Sequence, residues 1–340
     1  MRQSSAAEAS VAAAPRGRLS RYVALGFCAV VAGASMVAFA PRPAPAFAAT
    51  RVAPTHVAID ALALVGTRTV AVGEQGHVFL SDDGGAHWRE GRVASQRLAT
   101  LTDVRFCGND TGVAVGHDGL ILRSADRGET WQEVDAGLQG GDPLLAVRCA
   151  SPALWLAAGS FGRLLRSENG GRTWLAVDLG REDRHVYGLA VDPEGNWLAV
   201  GERGLMLRST DGGRTFQALP PVYDGSLFGV RPVGRGQWLA YGMRGTVLRS
   251  EDDGRQWQRA ETGGAPSFFG SAQRPDGTIV LVGQGGAVYE SADGGHRFVA
   301  RRAGGRLSLS SVVALPGGGV LYAGEGGVID ESPAIAAGRP

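Results

Sequence analysis

Short apolar runs, each closed by a glycine, recur along most of the chain, and a second apolar run follows each of them after a tight turn. One copy reads AVGEQGHVFLS and ends at Ser81, and another reads AVGERGLMLRS and ends at Ser209. Short apolar runs bounded by glycine turns favour β-strands over helices. The pattern therefore predicts pairs of short antiparallel strands joined by tight turns.

The glycine that closes the first run occurs seven times, at steps of 43, 43, 42, 41, 41 and 41 residues. A period of roughly 40 to 45 residues with several strands per unit is typical of the four-stranded blades of β-propellers. No long segment with a helical period lies beyond residue 50. We predict an all-β, seven-bladed β-propeller of four-stranded antiparallel blades. The anchoring glycines are Gly73, Gly116, Gly159, Gly201, Gly242, Gly283 and Gly324.

The repeats occupy nearly all of residues 49–340, which we assign to one propeller domain. Each blade of a closed ring buries its faces only against its neighbours, so the ring is a single domain. The 44% of hydrophobic residues is ample for a core, and the 53 glycines indicate many tight turns rather than disorder. The seventh unit stops at Ser332 without a fourth strand, so we expect residues 52–57 to supply that strand and close the ring.

The N-terminal segment has the features of an export signal. Arginines precede an apolar run from Tyr22 to Ala40, and a small-x-small site follows at Ala46–Ala48. This order predicts a signal peptide over residues 1–48, cleaved after Ala48 or, as second choice, after Ala40. An uncleaved membrane anchor is the alternative, because the run approaches the roughly 20 residues that span a bilayer. We expect an exported domain in a periplasm or lumen, free or N-terminally anchored and facing the periplasm.

Two cysteines, Cys107 and Cys149, lie at similar positions of consecutive repeats, whereas Cys28 belongs to the N-terminal segment. An oxidising compartment permits a disulfide between the two. Free buried cysteines are favoured at this point, because equivalent strands of adjacent blades often lie farther apart than the roughly 4.4 to 6.8 Å between the Cα atoms of a disulfide.

Six of the seven repeats continue with Ser-x-Asp-x-Gly-x-x-aromatic, which resembles the Asp-box, or BNR, repeat of bacterial sialidases and other propellers. The aspartate can accept hydrogen bonds from turn amides, the glycine tolerates positive φ, and the ring folds back between strands. Asn169 replaces the aspartate in one repeat and would serve poorly as an acid or a hard-cation ligand. We therefore predict structural boxes and no metal site. The box residues are Asp83, Asp126, Asn169, Asp211, Asp252 and Asp293, with Trp88, Trp131, Trp174, Phe216, Trp257 and Phe298.

Antiparallel order of four strands, a to d from the channel outwards, separates the turns onto two faces. The Asp-box turns and the a–b turns share one, the Asp-box face. The b–c turns and the connections between blades share the other, the variable face. On the variable face, Arg163, Arg203 and Arg244 lie in or beside the b–c turns of neighbouring blades, and Glu202 adjoins Arg203. They form either a cationic patch or, as surface arginines usually do, separate solvated groups.

Aromatic residues begin strand a in three consecutive blades: Tyr187, Phe228 and Phe269. A glycine follows each of them, which indicates close packing. These rings belong either to the core between blades or to an aromatic arc at the channel mouth that binds a partner. Arginines at 105, 148 and 231 also lie on inner strands, where they line the channel or pair within the core.

Charge and motifs exclude several functions. Without residues 1–48, 29 arginines face 32 acidic residues, which gives no electrostatic basis for nucleic-acid binding. A sialidase would carry an Arg-Ile-Pro motif and six blades, whereas this sequence has no Arg-Ile-Pro and seven repeats. Glu74, Asp118, Glu202 and Glu325 lie on the variable face, but nothing in their context singles out a catalytic pair. Metal-spaced histidines, a Gly-x-Ser-x-Gly motif and a phosphate loop do not occur. We predict a non-enzymatic protein without a cofactor; the alternative is an Asp-box glycoside hydrolase or carbohydrate-binding propeller.

The whole repeat resembles the photosystem II assembly and stability factor family over about residues 55–332, with Ser209-Thr-Asp-Gly-Gly-Arg-Thr-Phe216 a typical segment. Members of this family are seven-bladed propellers of the cyanobacterial or chloroplast lumen. The resemblance therefore implies a protein that helps to insert or stabilise a reaction-centre precursor through an arginine patch. That patch carries over to Arg163, Arg203 and Arg244. We therefore expect an exported scaffold, important for photosynthesis, that binds a membrane-embedded protein complex or its precursor.

Overall fold

The computed structural model describes residues 17–39, 52–95, 97–108, 110–137, 141–180, 182–302 and 304–330. It divides into two compact units, 1–51 and 52–340, a boundary three residues beyond the one predicted from the sequence. The two predicted cleavage positions, Ala40 and Ala48, and the end of the seventh repeat at Ser332 lie outside the described residues.

The described part of the first unit is a helix, α1 (Gly17–Ala38). Alanine is its most frequent residue and is the strongest helix former. Large apolar side chains of α1 are exposed, among them Tyr22, Phe27 and Met36. Of the helices in the described residues, none has both the length and the hydropathy for a membrane span.

Within the described residues, the second unit contains seven sheets, one for each repeat, and all their pairings but one are antiparallel. Apart from an added outer strand in blade two, the strands of each sheet follow one another in sequence order from a long inner strand outwards. The strands are β1 (Ile59–Val65), β2 (Arg68–Gly73), β3 (Val78–Ser81), β4 (Arg89–Glu90), β5 (Arg92–Val93), β6 (Leu101–Cys107), β7 (Thr111–Gly116), β8 (Ile121–Ser124), β9 (Thr130–Glu133), β10 (Leu144–Cys149), β11 (Trp155–Gly159), β12 (Leu164–Ser167), β13 (Leu175–Ala176), β14 (Val186–Val191), β15 (Trp197–Gly201), β16 (Met206–Ser209), β17 (Gln217–Ala218), β18 (Leu227–Gly234), β19 (Gln237–Gly242), β20 (Val247–Ser250), β21 (Gln258–Arg259), β22 (Phe268–Gln273), β23 (Ile279–Gly283), β24 (Val288–Ser291), β25 (Val299–Arg302), β26 (Leu309–Ala314), β27 (Val320–Gly324) and β28 (Gly327–Asp330).

The seven-bladed propeller predicted from the repeats is confirmed. Blades one and three to six have four strands each, and blade seven has three within the described residues. Blade two has a fifth, because β5 leaves blade one and pairs in parallel with β9. That pairing joins the outer edges of the first two blades.

The ends of the ring meet between blades seven and one. Ser310 on β26 donates its hydroxyl to the carbonyl oxygen of Ile59 at 2.7 Å. Outside these inner strands, the Pro54 carbonyl accepts the amide of Val328 at 2.9 Å, and Val52 and Val57 pack on the same apolar cluster. Residues 52–57 therefore cover the edge of β28, but they do not form the fourth strand that we expected.

The core lies between neighbouring blades rather than inside any one of them. Strands b are buried on both faces, as in β15, where all five residues are buried. Leu156 of blade three packs in one cluster with Trp197 and Leu207 of blade four. This explains why the strand b sequences are continuous apolar runs rather than alternating ones.

The anchoring glycines are required by close approach of two backbones. Gly201 has an extended conformation with φ −168°, which any residue can adopt. Strand a of the same blade, however, shifts register between Val186 and Gly188. This shift brings the carbonyl oxygen of His185 to 2.0 Å from where a Cβ of residue 201 would lie. The other anchoring glycines face an equivalent carbonyl oxygen at 1.9–2.2 Å.

Arginines that precede the box serine connect successive blades. The Nε of Arg123 donates to the carbonyl oxygen of Gly170, in the box turn of the next blade, at 2.7 Å. Arg166 and Arg249 bond the following box turns in the same way, at 3.0 and 2.9 Å. These repeated arginines therefore hold the Asp-box faces of adjacent blades together.

The expectation of free cysteines is wrong. Cys107 and Cys149 form a disulfide, with their Cα atoms 6.2 Å apart. Both lie at the ends of innermost strands, β6 and β10, which converge around the channel more closely than the outer strands do. The disulfide therefore links blades two and three beside the channel.

Candidate functional site

The Asp-box turns share one hydrogen-bond network. In blade four, Asp211 Oδ1 accepts bonds from the Ser209 hydroxyl at 2.7 Å and from the Thr215 amide at 3.0 Å. The Ser209 hydroxyl oxygen in turn accepts the Gly213 amide at 2.9 Å. In blade three, Asn169 Oδ1 accepts the Thr173 amide at 3.0 Å, as the aspartate does elsewhere. The box oxygens are thus occupied in closing their own turns.

The box tryptophans fold back onto the same turns. Trp131 is fully buried, and its indole N–H donates to the Gly128 carbonyl oxygen at 2.9 Å. Trp88 and Trp257 make the equivalent bond at 2.8 and 2.9 Å. Phe216 and Phe298 take the same position with no polar atom, so burial of the ring suffices there.

On the variable face, the b–c turns of blades three, four and five are bonded to the connections that lead to the next blades. The amide of Gly204 donates to the carbonyl oxygen of Gly225 at 2.9 Å. The amide of Gly245 donates to the carbonyl oxygen of Pro266 at the same distance. These bonds join the turns of blades four and five to the connections that follow them, and together they form the rim of this face.

Most b–c turns place their central residue in the left-handed region. The φ values lie between 48° and 55° for Gln75, Asp118, Phe161, Arg203 and Arg244. This conformation is uncommon for residues other than glycine. Short 3₁₀ turns carry four of these residues: Glu74–Gly76, His117–Gly119, Glu202–Gly204 and Met243–Gly245.

The three candidate arginines differ in what they contact. Arg203 keeps 79% of its side chain exposed, with its Nε 3.6 Å from a carboxylate oxygen of Glu202. Arg244 is also exposed, at the apex of the next turn. Arg163 is held by Asp142, with an Nη2 to Oδ2 distance of 2.5 Å, and only 25% of its side chain is exposed. The structure thus leaves Arg203 and Arg244 exposed and holds Arg163 in an ion pair.

Acidic or amide side chains that begin the b–c turns bond the backbone of the adjoining connection. Glu202 Oε2 accepts the His185 amide at 3.4 Å, and Glu325 Oε2 accepts the Ser308 amide at 3.0 Å. Gln284 makes the equivalent bond to the Ser267 amide at 3.3 Å. A neutral amide at this position indicates that the Glu202 carboxylate shapes the rim.

The aromatic residues that begin strand a form a continuous arc. The ring centroids of Tyr187 and Phe228 are 5.5 Å apart, and those of Phe228 and Phe269 are 5.3 Å apart. His185 stacks on Tyr187 at 6.0 Å, and Phe161 follows at 4.9 Å from His185. These five rings, which we call the aromatic arc, run from blade three to blade six.

Phe161 and His185 were not predicted as members of the arc. Phe161 is 62% exposed, although the b–c turns of the other blades carry polar residues or glycine at this apex. An aromatic residue at the apex of such a turn was the only sequence signal for Phe161. The rest of the arc is half-buried, so it is neither fully in the core nor free in solvent.

Glycines beside the arc allow its rings to meet. A Cβ on Gly188 would lie 2.9 Å from the Cα of Gly229 in the next blade. The inner strands β14 and β18 are therefore in close backbone contact. This approach brings Tyr187 and Phe228 within contact distance.

The arc borders a central cavity of about 530 Å³, which the inner strands of all seven blades line. Its charged side chains among the described residues are Asp60, Asp103, Arg105, Arg148 and Arg231. Burial raises the pKa of the Asp60 carboxyl to about 6, although His117 opposes the shift. No group of three or more potential metal ligands occurs among residues that the structure describes.

Seven blades closed by Asp-box turns place the chain in the class of Asp-box β-propellers. A family model described as photosynthesis system II assembly factor YCF48 matches residues 47–125 and 124–296. The chain belongs to this family of assembly factors, as the repeat indicated.

Solved structures agree with the fold. "YCF48 bound to D1 peptide" is 18% identical with a TM-score of 0.67, and the match covers 81% of this chain and 93% of that one. YCF48 from Cyanidioschyzon merolae is also 18% identical with a TM-score of 0.67, covering 83% and 98%. A GH74 xyloglucanase from Xanthomonas campestris is 13% identical with a TM-score of 0.64, covering 81% and 52%. Among curated proteins, none matches the chain.

Proposed function

We propose that this protein is a photosystem II-type assembly factor whose variable face holds an extended segment of a membrane-embedded reaction-centre protein or of its precursor. The aromatic arc beside two exposed arginines carries the proposal. Rings with exposed edges bind apolar and aromatic side chains, and arginines at the rim attract carboxylates. The family membership and a relative described as bound to a D1 peptide support a protein partner of this kind.

The contacts within the face support a single surface. Arg203 approaches Glu202, and Glu202 lies 4.0 Å from the His185 imidazole, which stacks on Tyr187. On the other side, the Arg244 amide donates to the Ser267 hydroxyl at 3.4 Å, two residues before Phe269. Arg203 and Arg244 therefore lie beside the arc in blades four and five, the two middle blades that it crosses. A peptide lying along the arc would meet apolar rings and then positive charge.

Reversal of the two exposed charges should abolish most of the peptide affinity. We expect the double variant Arg203→Glu and Arg244→Glu to bind a synthetic D1 peptide at least tenfold more weakly than the unmodified domain, because each lost pair contributes about 1 kcal/mol or more. Fluorescence anisotropy of the labelled peptide measures this. Arg235→Glu is the matched control, since that arginine is 90% exposed in an a–b turn on the opposite face.

Unchanged affinity in the double variant would remove the rim arginines from the proposal. If Phe228→Ala retained the affinity for the peptide, the aromatic arc would not be part of the binding site. A glycan array separates the alternative function: binding of xyloglucan-type sugars by a domain that ignores the peptide would favour a carbohydrate-binding propeller. Arg235→Glu should change neither the peptide affinity nor the result of the glycan array.

We further propose that residues 1–48 direct export of the domain. The basic flank and apolar run support this, and the disulfide of Cys107 and Cys149 suits an oxidising compartment. The intact mass of protein purified from an exporting host should correspond to a chain that begins at residue 49. Recovery of the full-length mass from the membrane fraction would instead support an uncleaved anchor.

A further inference from the structure

Three arginines from different blades share the central cavity. Arg105 lies on β6, Arg148 on β10 and Arg231 on β18, and all three line the cavity. They lie close enough to one another that their charges interact: burial first, and then Arg148, lowers the pKa of Arg105 to about 10. Burial likewise lowers the pKa of Arg231.

The acidic groups of the cavity compensate only part of this charge. Asp103 bonds Arg148 through Oδ2 and lies 3.9 Å from Arg105. The same carboxylate also accepts the amides of Val104 and Val147, so its oxygens are occupied. Asp60, the second acid of the cavity, has a pKa raised to about 6 by burial. Three positive charges therefore face at most two negative ones.

Of the three arginines, Arg231 has the fewest hydrogen-bond and ion-pair partners within the described part of the protein. Its Nη1 reaches only the Ser271 hydroxyl, at 3.4 Å. Its Nε is buried and has no hydrogen-bond partner. A buried guanidinium nitrogen without an acceptor is unfavourable unless a ligand or water supplies one. The Arg231 side chain lines the same cavity as Arg105 and Arg148.

We propose that the channel binds a small oxyanion, a phosphate or a carboxylate, between Arg231, Arg105 and Arg148. Guanidinium forks suit two-oxygen acceptors better than they suit chloride. A cavity of about 530 Å³ also has room for the anion together with its hydrating water. The site lies inside the channel, so it does not depend on peptide binding at the rim.

The disulfide supports this site by its position. Cys149 follows Arg148 directly, and Cys107 lies two residues after Arg105. The bond between these cysteines joins the two strands that carry like charges. It therefore holds Arg105 and Arg148 together against their mutual repulsion, as a preformed anion site requires.

Isothermal titration of the exported domain with sodium phosphate, and separately with sodium succinate, tests the proposal and distinguishes the two anions. We expect saturable binding of at least one of them at pH 7.5 in low-salt buffer. Arg231→Gln should weaken that binding at least tenfold. This variant should fold, because removal of Arg231 leaves no buried acid unpaired. Arg235→Gln, four residues along and exposed to solvent, should bind like the unmodified domain.

Two results would overturn the proposal: no saturable binding of either anion to the unmodified domain, or equal affinity in Arg231→Gln. The first needs no variant, so a folding failure cannot obscure it. Phosphorus NMR provides the second measurement, since the phosphate line should broaden in the presence of the domain and sharpen again when excess phosphate saturates the site.

Discussion

Gly201→Ala should lower the free energy of unfolding of the propeller by about 3 to 5 kcal/mol, because the new methyl group would meet the His185 carbonyl oxygen. The clash is between two backbones that are hydrogen-bonded to each other: the Glu202 amide donates to that oxygen at 2.9 Å. Neither side can move without breaking the pairing of β14 with β15. Urea denaturation followed by tryptophan fluorescence measures the change.

Gly317→Ala is the matched control for this prediction. A Cβ there would meet nothing within 4 Å, and its φ lies outside the positive region. We expect a change within about 0.5 kcal/mol, or a small stabilisation from the reduced entropy of the unfolded chain. Equal effects of the two substitutions would show that the anchoring glycines are not constrained by the close approach.

Asp211→Ala should lower the free energy of unfolding at pH 7 by about 2 kcal/mol, and Asp211→Asn by less than half of that. The aspartate accepts bonds from the hydroxyls of Ser209 and Thr215 and from the Thr215 amide, all of which alanine would leave without their acceptor. Asparagine retains one acceptor oxygen, and blade three shows that such a box forms around Asn169. Equal losses in both variants would contradict this account.

The same carboxylate makes the box sensitive to acid. Hydrogen bonds, first of all from the Thr215 hydroxyl, hold the pKa of Asp211 well below its usual range. A depressed pKa contributes stability above the ordinary value of about 3.9, and the contribution is lost as the pH falls below it. The deficit of Asp211→Asn relative to the unmodified domain should therefore shrink between pH 7 and pH 3. A constant deficit would exclude a role for the charge.

Much of the fold could be read from the repeats, because each repeat carries its own local signals. The anchoring glycine, the box and the apolar strands are separated by a few residues, and short-range geometry determines their structure. The fourth strand of the last blade could not be predicted in the same way. It depended on whether residues 52–57 meet β28, and they contribute packing and one backbone bond instead.

The candidate site was predicted less completely. Tyr187, Phe228 and Phe269 recur at one position of the repeat, so their proximity in adjacent blades follows from the period. Arg163 occupies a similar position to Arg203, but Asp142, which neutralises it, lies in the preceding connection, where the repeat is irregular. Periodicity carries no information about such irregular partners.

By itself, the sequence determined the number of blades, the turns that close them and the residues that face each other in neighbouring repeats, because all of these follow from a local unit repeated at a constant step. The tertiary structure alone decided which charges remain free and which are paired. It also decided that Cys107 and Cys149 meet and that three arginines converge on one cavity. These depend on how closely inner strands approach when the ring closes, a distance that no single repeat encodes.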